Sequence, residues 1–288
     1  MTYCVAARLR AGLVFLADSR TNAGVDQISV FRKLSVFERQ GERVMVLLTS
    51  GNLAISQSVG QILSQEDTKH PGSIWAAPNM FEAARMVGEA IREVHRRDAR
   101  ALHEQGVEFN INLIFGGQIV GERCRLFQFY SAGNFIEAHD ECPYFQIGEA
   151  KYGKPILDRV LHPESTLDEA AKCALISMDS TLRSNISVGL PLDLLVYEAG
   201  SLRVTRFANI DENNQYFRMI RNGWGERLRQ VFAEIENPVW TDPAGPESLV
   251  PEGRLHQPVR VVPGVAAPAA LTPRQALAKD PLTDPAGP

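Results

Sequence analysis

The order of the strand-like and helix-like segments is the strongest constraint on the fold. Two pairs of apolar, strand-like segments come first, each pair joined by a short turn that contains a glycine: Thr2–Leu9 with Leu13–Asp18, and Ile28–Phe37 with Arg43–Thr49. Helical patterns follow at Asn52–Gln65 and Asn79–His103. Strand-like runs return at Asn110–Ile119, Arg123–Tyr130 and Asn134–Ala138.

The second half of the chain repeats this grouping. The patterns predict helices at Lys151–Leu161 and Ser165–Thr181, then a hairpin of Leu192–Glu198 and Leu202–Phe207, then a helix over Asn213–Ile235 interrupted by two glycines. Strands that come in groups, apart from the helices, argue against a doubly wound parallel sheet. They predict an α+β fold in which two antiparallel sheets face each other and helices cover their outer faces.

Proline use changes sharply near Pro238. Eleven of the 17 prolines lie from this residue onwards, and no aromatic residue follows Trp240. Proline without periodic apolar partners does not build a packed element. We therefore predict one folded domain over residues 1–240 and a Pro-rich, disordered or extended tail over residues 241–288.

The net charge and the spacing of the cysteines argue against several classes of function. The net charge of −4 argues against a nucleic-acid partner, because such proteins normally carry a basic excess. No apolar run is long enough to cross a membrane, and the N-terminal segment does not have the pattern of a secretory signal peptide. The four cysteines share no CxxC spacing, which predicts reduced thiols and a cytoplasmic protein.

The N-terminal segment carries most of the functional signal. Removal of Met1 would leave Thr2 with a free α-amine beside its hydroxyl, and that pair is a complete nucleophile and base. The amine titrates at about pH 7.7–8.0, close to the working pH of an enzyme. Threonine at this position alone indicates only that methionine can be removed. The apolar strand that starts here, however, would hold Thr2 in place.

A carboxylate and a lysine follow within the first two hairpins. The returning strand of the first hairpin ends at Asp18, close to the start of the chain. If Ile28–Phe37 is one strand, Lys33 lies on one face between two phenylalanines. The functional interpretation is a partly buried ammonium that pairs with Asp18 and lowers the proton affinity of Thr2. The alternative is a solvent-facing lysine on an edge strand, which is common.

A third element is the junction Thr49-Ser50-Gly51-Asn52, which joins a strand to a helix. Glycine permits close backbone approach, and a free N–H at the start of a helix is suited to hold an oxyanion. The alternative interpretation is an ordinary turn in which Ser50 caps the helix.

Taken together, the N-terminal threonine strand, Asp18-Ser19-Arg20, Lys33 and the Ser-Gly junction resemble proteasome-type β subunits of the N-terminal nucleophile hydrolases. Within that group, residues 2–37 are similar to the Anbu family, the bacterial ancestral β-subunit homologue of the proteasome. The resemblance extends over about residues 2–237 and excludes the tail. It implies a four-layer αββα sandwich, self-assembly into a ring or helical particle, and a threonine-type site that cleaves peptide-like substrates.

The resemblance also implies roles for individual residues. Thr2 is then the nucleophile and base, Lys33 the charge that tunes it, Asp18 the partner of Lys33, and Gly51 the oxyanion donor. Further residues are implied as local support or as neighbours of the terminal amine: Ser19, Arg20, Asp179 and Ser184. No metal and no organic cofactor is implied.

One position departs from the proteasome pattern. A serine that contacts the terminal amine in proteasomes is replaced by Glu149 in the stretch Ile147-Gly148-Glu149-Ala150-Lys151. A carboxylate there would raise the pKa of the amine and weaken it as a base. The function predicted from the sequence is therefore a self-assembling threonine-type hydrolase of amide bonds. Two alternatives stay open: a proteasome-like scaffold with weak activity, and an amidase for a small non-protein substrate.

Overall fold

The computed structural model describes residues 2–22, 28–65, 73–240 and 261–263. The strands in these ranges are β1 (Tyr3–Leu9), β2 (Gly12–Asp18), β3 (Arg20–Asn22), β4 (Ile28–Val30), β5 (Leu34–Arg39), β6 (Arg43–Gly51), β7 (Ile111–Ile119), β8 (Arg125–Phe129), β9 (Phe135–Glu137), β10 (Tyr144–Gly148), β11 (Leu192–Glu198), β12 (Arg206–Ile210), β13 (Pro238–Trp240) and β14 (Val261–Pro263). The helices are α1 (Leu53–Leu63), α2 (Met80–Glu104), α3 (Lys154–Val160), α4 (Leu167–Ser184) and α5 (Gln215–Glu234), with a 3-10 turn at Ile74–Ala76.

The chain separates into two compact units, residues 1–224 and residues 225–288. The first unit contains two five-stranded sheets in which every pair of neighbours is antiparallel. One sheet has the order β10-β1-β2-β11-β12 and the other the order β5-β6-β7-β8-β9. This grouping confirms the prediction of a mixed α+β protein built on antiparallel sheets.

Three apolar clusters hold the first unit together. One lies between the β5–β8 strands and helices α1 and α2, and another between β1, β2 and β11 and helices α3 to α5. The third joins residues from the inner faces of both sheets, such as Phe15 of β2 and Val46 of β6. Strands β1 and β2 are buried along almost their whole length, and accordingly their sequences are continuous apolar runs rather than alternating ones.

Side-chain caps fix where the helices begin. Asn52 caps α1 by accepting a hydrogen bond from the Ala54 N–H, and Asn79 caps α2 in the same way through the Glu82 N–H. Helix α4 begins with a reciprocal capping box between Thr166 and Glu169. These caps satisfy backbone donors that have no partner inside the helix.

Most of the predicted segments are present, but the bounds of two strands were wrong and one strand was missed. The segment Ile28–Phe37 is not one strand but β4 and β5, separated by residues 31–33 without regular structure. Strand β12 begins at Arg206 rather than at Leu202, which lies in the preceding connection at a φ of 45°. Strand β10 was not predicted at all.

The second unit contains the end of α5 and a two-stranded ribbon of β13 and β14. Helix α5 runs through Gly223 and Gly225 without a break, so the predicted interruption was wrong. Val261–Pro263 forms an extended strand within the predicted tail, and the rest of residues 241–288 lies outside the described residues. The division into a domain of residues 1–240 and a tail of residues 241–288 stays a prediction.

Candidate active site

Thr2 is placed by the strand that follows it and by the end of β10. Its carbonyl accepts a hydrogen bond of 2.7 Å from the Glu149 N–H, and the next residue, Tyr3, pairs with Gly148. Gly148 has a φ of 83°, and a Cβ there would lie 1.9 Å from the Thr2 carbonyl oxygen. Only glycine therefore lets the two backbones approach so closely.

Asp18 and Lys33 form a buried ion pair behind Thr2. The Lys33 Nζ donates to Asp18 Oδ1 at 2.8 Å and to the Arg20 carbonyl at 2.7 Å. The Tyr3 N–H donates to the same carboxylate oxygen at 2.9 Å, and the Gly189 N–H to Oδ2 at 3.4 Å. The Lys33 side chain is 7% exposed and that of Asp18 is fully buried, so solvent screens this pair weakly.

The electrostatics of Asp18 combine two opposing effects. Burial raises the pKa of its carboxyl group above the ordinary value, whereas the Lys33 ammonium and the two backbone N–H groups lower it. Three donors on one carboxylate compensate for much of its desolvation. The arrangement fixes the position of Lys33.

Lys33 reaches this position from an irregular segment and not from the face of a strand. The Phe31 N–H donates to the Ser19 carbonyl at 2.9 Å, and the Thr49 N–H donates to the Lys33 carbonyl at 3.0 Å. The segment is thus tied to the end of β2 on one side and to β6 on the other. The predicted pairing with Asp18 is present, but the predicted strand geometry was wrong.

A cavity of about 350 Å³ opens beside Thr2. Thr2, Lys33 and Gly51 line it, together with Arg20. Most of the remaining wall is polar, with hydroxyl and amide side chains from several elements: Thr21, Thr49, Ser50, Ser56, Asn110 and Asn112. The cavity therefore places a hydroxyl, a cation and a strand-to-helix junction around one space.

Gly51 ends β6 at a φ of 105°, and a Cβ there would lie 2.4 Å from the Asn110 carbonyl oxygen. A side chain would be both strained and crowded at this position. The helix cap is Asn52 and not Ser50, whose hydroxyl instead lies 3.4 Å from the Asn112 carbonyl. The junction predicted from the sequence is present, and its capping residue is two positions further along.

Ser19 and Arg20 hold neighbouring backbone. The Ser19 hydroxyl and N–H both donate to the Pro191 carbonyl, at 2.6 and 3.0 Å. Arg20 donates to the Ile186 carbonyl at 3.0 Å, and its guanidinium lies against Gly189, where any Cβ would be 2.1 Å from Nε. Both residues thus anchor the connection between α4 and β11, which also supplies an N–H to Asp18.

The remaining predicted residues lie outside the cavity wall. Asp179 is buried and forms ion pairs with Arg183 at 3.1 Å and Arg221 at 3.3 Å. Ser184 is exposed at the end of α4. The buried Glu149 carboxylate accepts a hydrogen bond of 2.9 Å from Asn185.

Sequence reasoning missed two contributions. The first is the pair of backbone N–H groups from Tyr3 and Gly189 that reach Asp18, and no side-chain motif encodes them. The second is Gly148, because β10 was not recognised as a strand. The alternation of half-buried and buried residues over Tyr144–Gly148 is the signal that could have identified it.

Neither a metal-binding cluster nor a membrane-spanning helix is found among the residues that the structure describes. No group of three His, Cys, Asp or Glu side chains within the described ranges is placed to hold a metal ion. None of the helices in the part of the chain that the structure describes is long and apolar enough to cross a membrane.

Comparison with solved structures yields strong matches. Anbu (Gly-1 mutant) from Hyphomicrobium sp. strain MC1 is 53% identical, with 81% of this chain and 99% of that chain covered and a TM-score of 0.76. Anbu from Yersinia bercovieri is 52% identical over 82% of this chain and 99% of its own, with a TM-score of 0.77. The Pseudomonas aeruginosa Anbu, solved as a helical assembly, is 45% identical over 83% of this chain and 98% of its own, with a TM-score of 0.79. No family model and no curated protein sequence matches.

The chain has two five-stranded antiparallel sheets, and Thr2, at the start of the first strand, lines a cavity together with Lys33. These features are those of a proteasome-like protein. At more than half identity over nearly the whole length of two solved relatives, the chain belongs to the Anbu, or ancestral β-subunit, family.

Proposed function

We propose that this chain is a threonine-type N-terminal nucleophile hydrolase that cleaves amide bonds through an acyl ester on Thr2. The observation that carries the proposal is the cavity in which Thr2, Lys33 and Gly51 meet, with the Asp18–Lys33 pair behind it. Hydroxyl, tuning cation and oxyanion donor are the groups that acyl transfer needs, and here they face one space.

The mechanism uses only groups of this chain and water. After Met1 is removed, the Thr2 α-amine takes the proton of the hydroxyl, and Oγ attacks the substrate carbonyl. The Gly51 N–H stabilises the oxyanion, and the amine returns the proton to the leaving nitrogen as the C–N bond breaks. A water molecule, deprotonated by the same amine, then hydrolyses the ester. Lys33 lowers the proton affinity of Thr2 throughout, because its positive charge is held in a poorly solvated position.

The proposal includes architecture and assembly. The three apolar clusters support a four-layer αββα sandwich, and the Pseudomonas aeruginosa relative forms a helical assembly. We therefore propose that this chain also assembles into a homo-oligomer of ring or helical form. The four unpaired cysteines fit a cytoplasmic location. The polar cavity fits a peptide-like substrate with a polar side chain beside the cleaved bond.

A second candidate, a scaffold with weak activity, is favoured by the residues predicted to lie near the amine. Asp179 is held by two arginines, Ser184 is exposed, and Glu149 stands where proteasomes carry a serine. The third candidate, an amidase for a small substrate, fits the modest size of the cavity, about 350 Å³.

The test is the intact mass of the purified protein before and after an electrophile directed at N-terminal threonine, such as a peptide epoxyketone. We expect a chain that lacks Met1 and gains one adduct at Thr2. Thr2→Ala is the matched control: it should take no adduct, abolish hydrolysis and leave the assembly intact. Full activity of Thr2→Ala would overturn the mechanism. A free Thr2 that takes no adduct would favour the scaffold.

A further inference from the structure

The buried carboxylate of Asp193 has one oxygen without a hydrogen bond. Asp193 lies in β11, between β2 and β12, and its side chain is only 1% exposed. The Asn209 side-chain amide donates to Oδ1 at 2.9 Å, but Oδ2 has no hydrogen-bond partner among the described residues. A buried carboxylate needs compensation for the hydration it has lost. The cation paired with it is Arg32, whose Nε lies 3.9 Å from Oδ2.

Arg32 has a second contact on the same side of the molecule. Its guanidinium lies 5.8 Å from the centre of the Phe207 ring in β12, which is within the range of a cation–π interaction. The Arg32 side chain is 65% exposed, and an ion pair between two such exposed groups would contribute little. Here one partner is buried, so loss of Arg32 would leave the Asp193 carboxylate without a cation. The Arg32 side chain therefore joins its own segment to β11 and β12.

The place of Arg32 in the chain connects this contact with the candidate active site. Arg32 immediately precedes Lys33 in the irregular segment of residues 31–33. The backbone of this segment is hydrogen-bonded at its two ends, to Ser19 and to Thr49. The Arg32 side chain adds a third contact between those two. Because the segment has no ladder of strand hydrogen bonds, each contact limits how far the Lys33 ammonium can move.

We propose that Arg32 and Asp193 are positioning residues that hold the Lys33 ammonium at its place in the wall of the cavity. The inference rests on the proposed function, in which Lys33 lowers the proton affinity of Thr2, and extends it to a contact outside the Thr2 cavity. Asp193 also carries a negative charge, and its two effects have opposite signs. Loss of the charge alone would favour the unprotonated amine and speed adduct formation near neutral pH, whereas loss of position would slow it.

The test measures the reaction of the full-length protein with the peptide epoxyketone over a range of probe concentrations. Asp193→Asn keeps the shape of the side chain but removes the charge that holds Arg32. We expect the limiting rate of adduct formation to fall about tenfold, because the tuning cation is held less precisely. The half-saturating probe concentration should stay unchanged, since Asp193 does not line the Thr2 cavity. In a Lys33→Ala background, Asp193→Asn should have no further effect on the limiting rate.

A second measurement does not depend on the reactivity of Thr2. Reductive methylation followed by peptide mass mapping reports how often the Lys33 amine, which is 7% exposed, leaves its carboxylate. Labelling of Lys33 should be at least about threefold faster in Asp193→Asn than in the unmodified protein. Asp168→Asn, which removes a carboxylate from the exposed ion pair with Arg206, is the matched control and should change neither the labelling nor the limiting rate.

The outcomes separate the positioning role from the proposed function. A limiting rate and a Lys33 labelling rate that both stay unchanged in Asp193→Asn would overturn the positioning role. Faster adduct formation in this variant would also overturn it, because only the charge of Asp193 would then act on the amine. An unmodified protein that takes no adduct would overturn the proposed hydrolase, and the labelling of Lys33 would still decide whether Asp193 holds it in place.

Discussion

Two buried carboxylates predicted for the site, Asp18 and Asp179, are held differently. Asp18 pairs with the buried Lys33, and its carboxylate is satisfied by three donors. Asp179 lies outside the wall of the Thr2 cavity and is paired with arginines from α4 and α5 that are themselves 56% and 41% exposed. The first arrangement places a buried cation in the wall of the Thr2 cavity, whereas the second ties two helices together.

The difference separates two tasks. On the proposed mechanism the Asp18 pair holds the cation that lowers the proton affinity of the Thr2 hydroxyl. The proposed base, the Thr2 α-amine, instead has the Glu149 carboxylate in the adjoining segment where proteasomes carry a serine, and negative charge there would raise the pKa of the amine. A well-placed cation with a poorly supported base predicts that both acylation and turnover are slow, because the same amine acts in both steps.

The largest expected effect is the loss of reactivity when Lys33 is removed. Lys33→Ala should slow adduct formation at Thr2 by at least about a hundredfold, because it removes the tuning charge. It also leaves Asp18 buried without its cation, which costs about 3–5 kcal/mol of folding stability. The rate is measured by intact mass over time and the stability by urea unfolding.

A second variant separates the effect on folding stability from the effect on the rate of adduct formation. Asp18→Asn combined with Lys33→Met removes both charges at nearly constant volume, so it should fold more stably than Lys33→Ala and remain equally slow. Lys172→Ala, at an exposed lysine of α4, controls for loss of a positive charge elsewhere. A double variant that reacts at the normal rate would show that the ion pair is only structural.

The next effect concerns the amine. Glu149→Ser should raise the rate of adduct formation near neutral pH by about tenfold and move its acid limb to lower pH. Removing a carboxylate lowers the pKa of a nearby amine, so that more of it is unprotonated. Glu149→Gln, which removes the charge and keeps the size, should give most of the gain. Lower rates in both variants would contradict this account of the amine.

A smaller effect on rate is expected at Asp179. Asp179→Asn should change adduct formation by less than about twofold but lower the stability by about 1–2 kcal/mol, since the two arginines lose a buried acceptor and turn to water. Urea unfolding measures the loss. A rate that falls far more than twofold would place Asp179 in the chemistry of Thr2.

The smallest expected effect is a local change in the rate at which cysteine thiols are labelled. Burial raises the pKa of Cys173 in α4 to about 11 and that of Cys124 to about 12, so iodoacetamide at pH 8 should label only the exposed Cys142. In Asp179→Asn, Cys173 should be labelled several-fold faster, because α4 opens more often, whereas Cys4 in β1 should stay protected. Equal labelling of both would mean that the whole unit had loosened.

The sequence was sufficient for features that arise from local order. Thr2, Asp18 and Lys33 all belong to the first two predicted hairpins, whose geometry brings strand ends together, and the Asp18–Lys33 pair is present as expected. The predicted strand geometry around Lys33 was wrong, because residues 31–33 are irregular and form backbone hydrogen bonds with Ser19 and Thr49. Backbone hydrogen bonds of an irregular segment produce no periodic pattern of apolar residues in the sequence.

Features that join distant segments were beyond the sequence. Asp179 bonds to Arg221, which is 42 positions away, and nothing near either residue marks the pair. Strand β10 is short and half-exposed, so its alternation was too weak to recognise, and with it the crowding that requires Gly148 was missed. The capping residue of α1 shifted from Ser50 to Asn52 because the backbone turns at Gly51 before the helix begins.

The burial of the residue after Thr2 has a consequence for the order of events in synthesis. Tyr3 is fully enclosed, and its N–H is bonded to Asp18. An aminopeptidase needs the first few residues extended in its own cleft, which the folded strand does not allow. If Thr2 acts as proposed, methionine is therefore removed from the emerging chain before β1 enters its sheet. A molecule that folds first would then keep a blocked amine, and the rate of removal on the ribosome would set the fraction of reactive subunits.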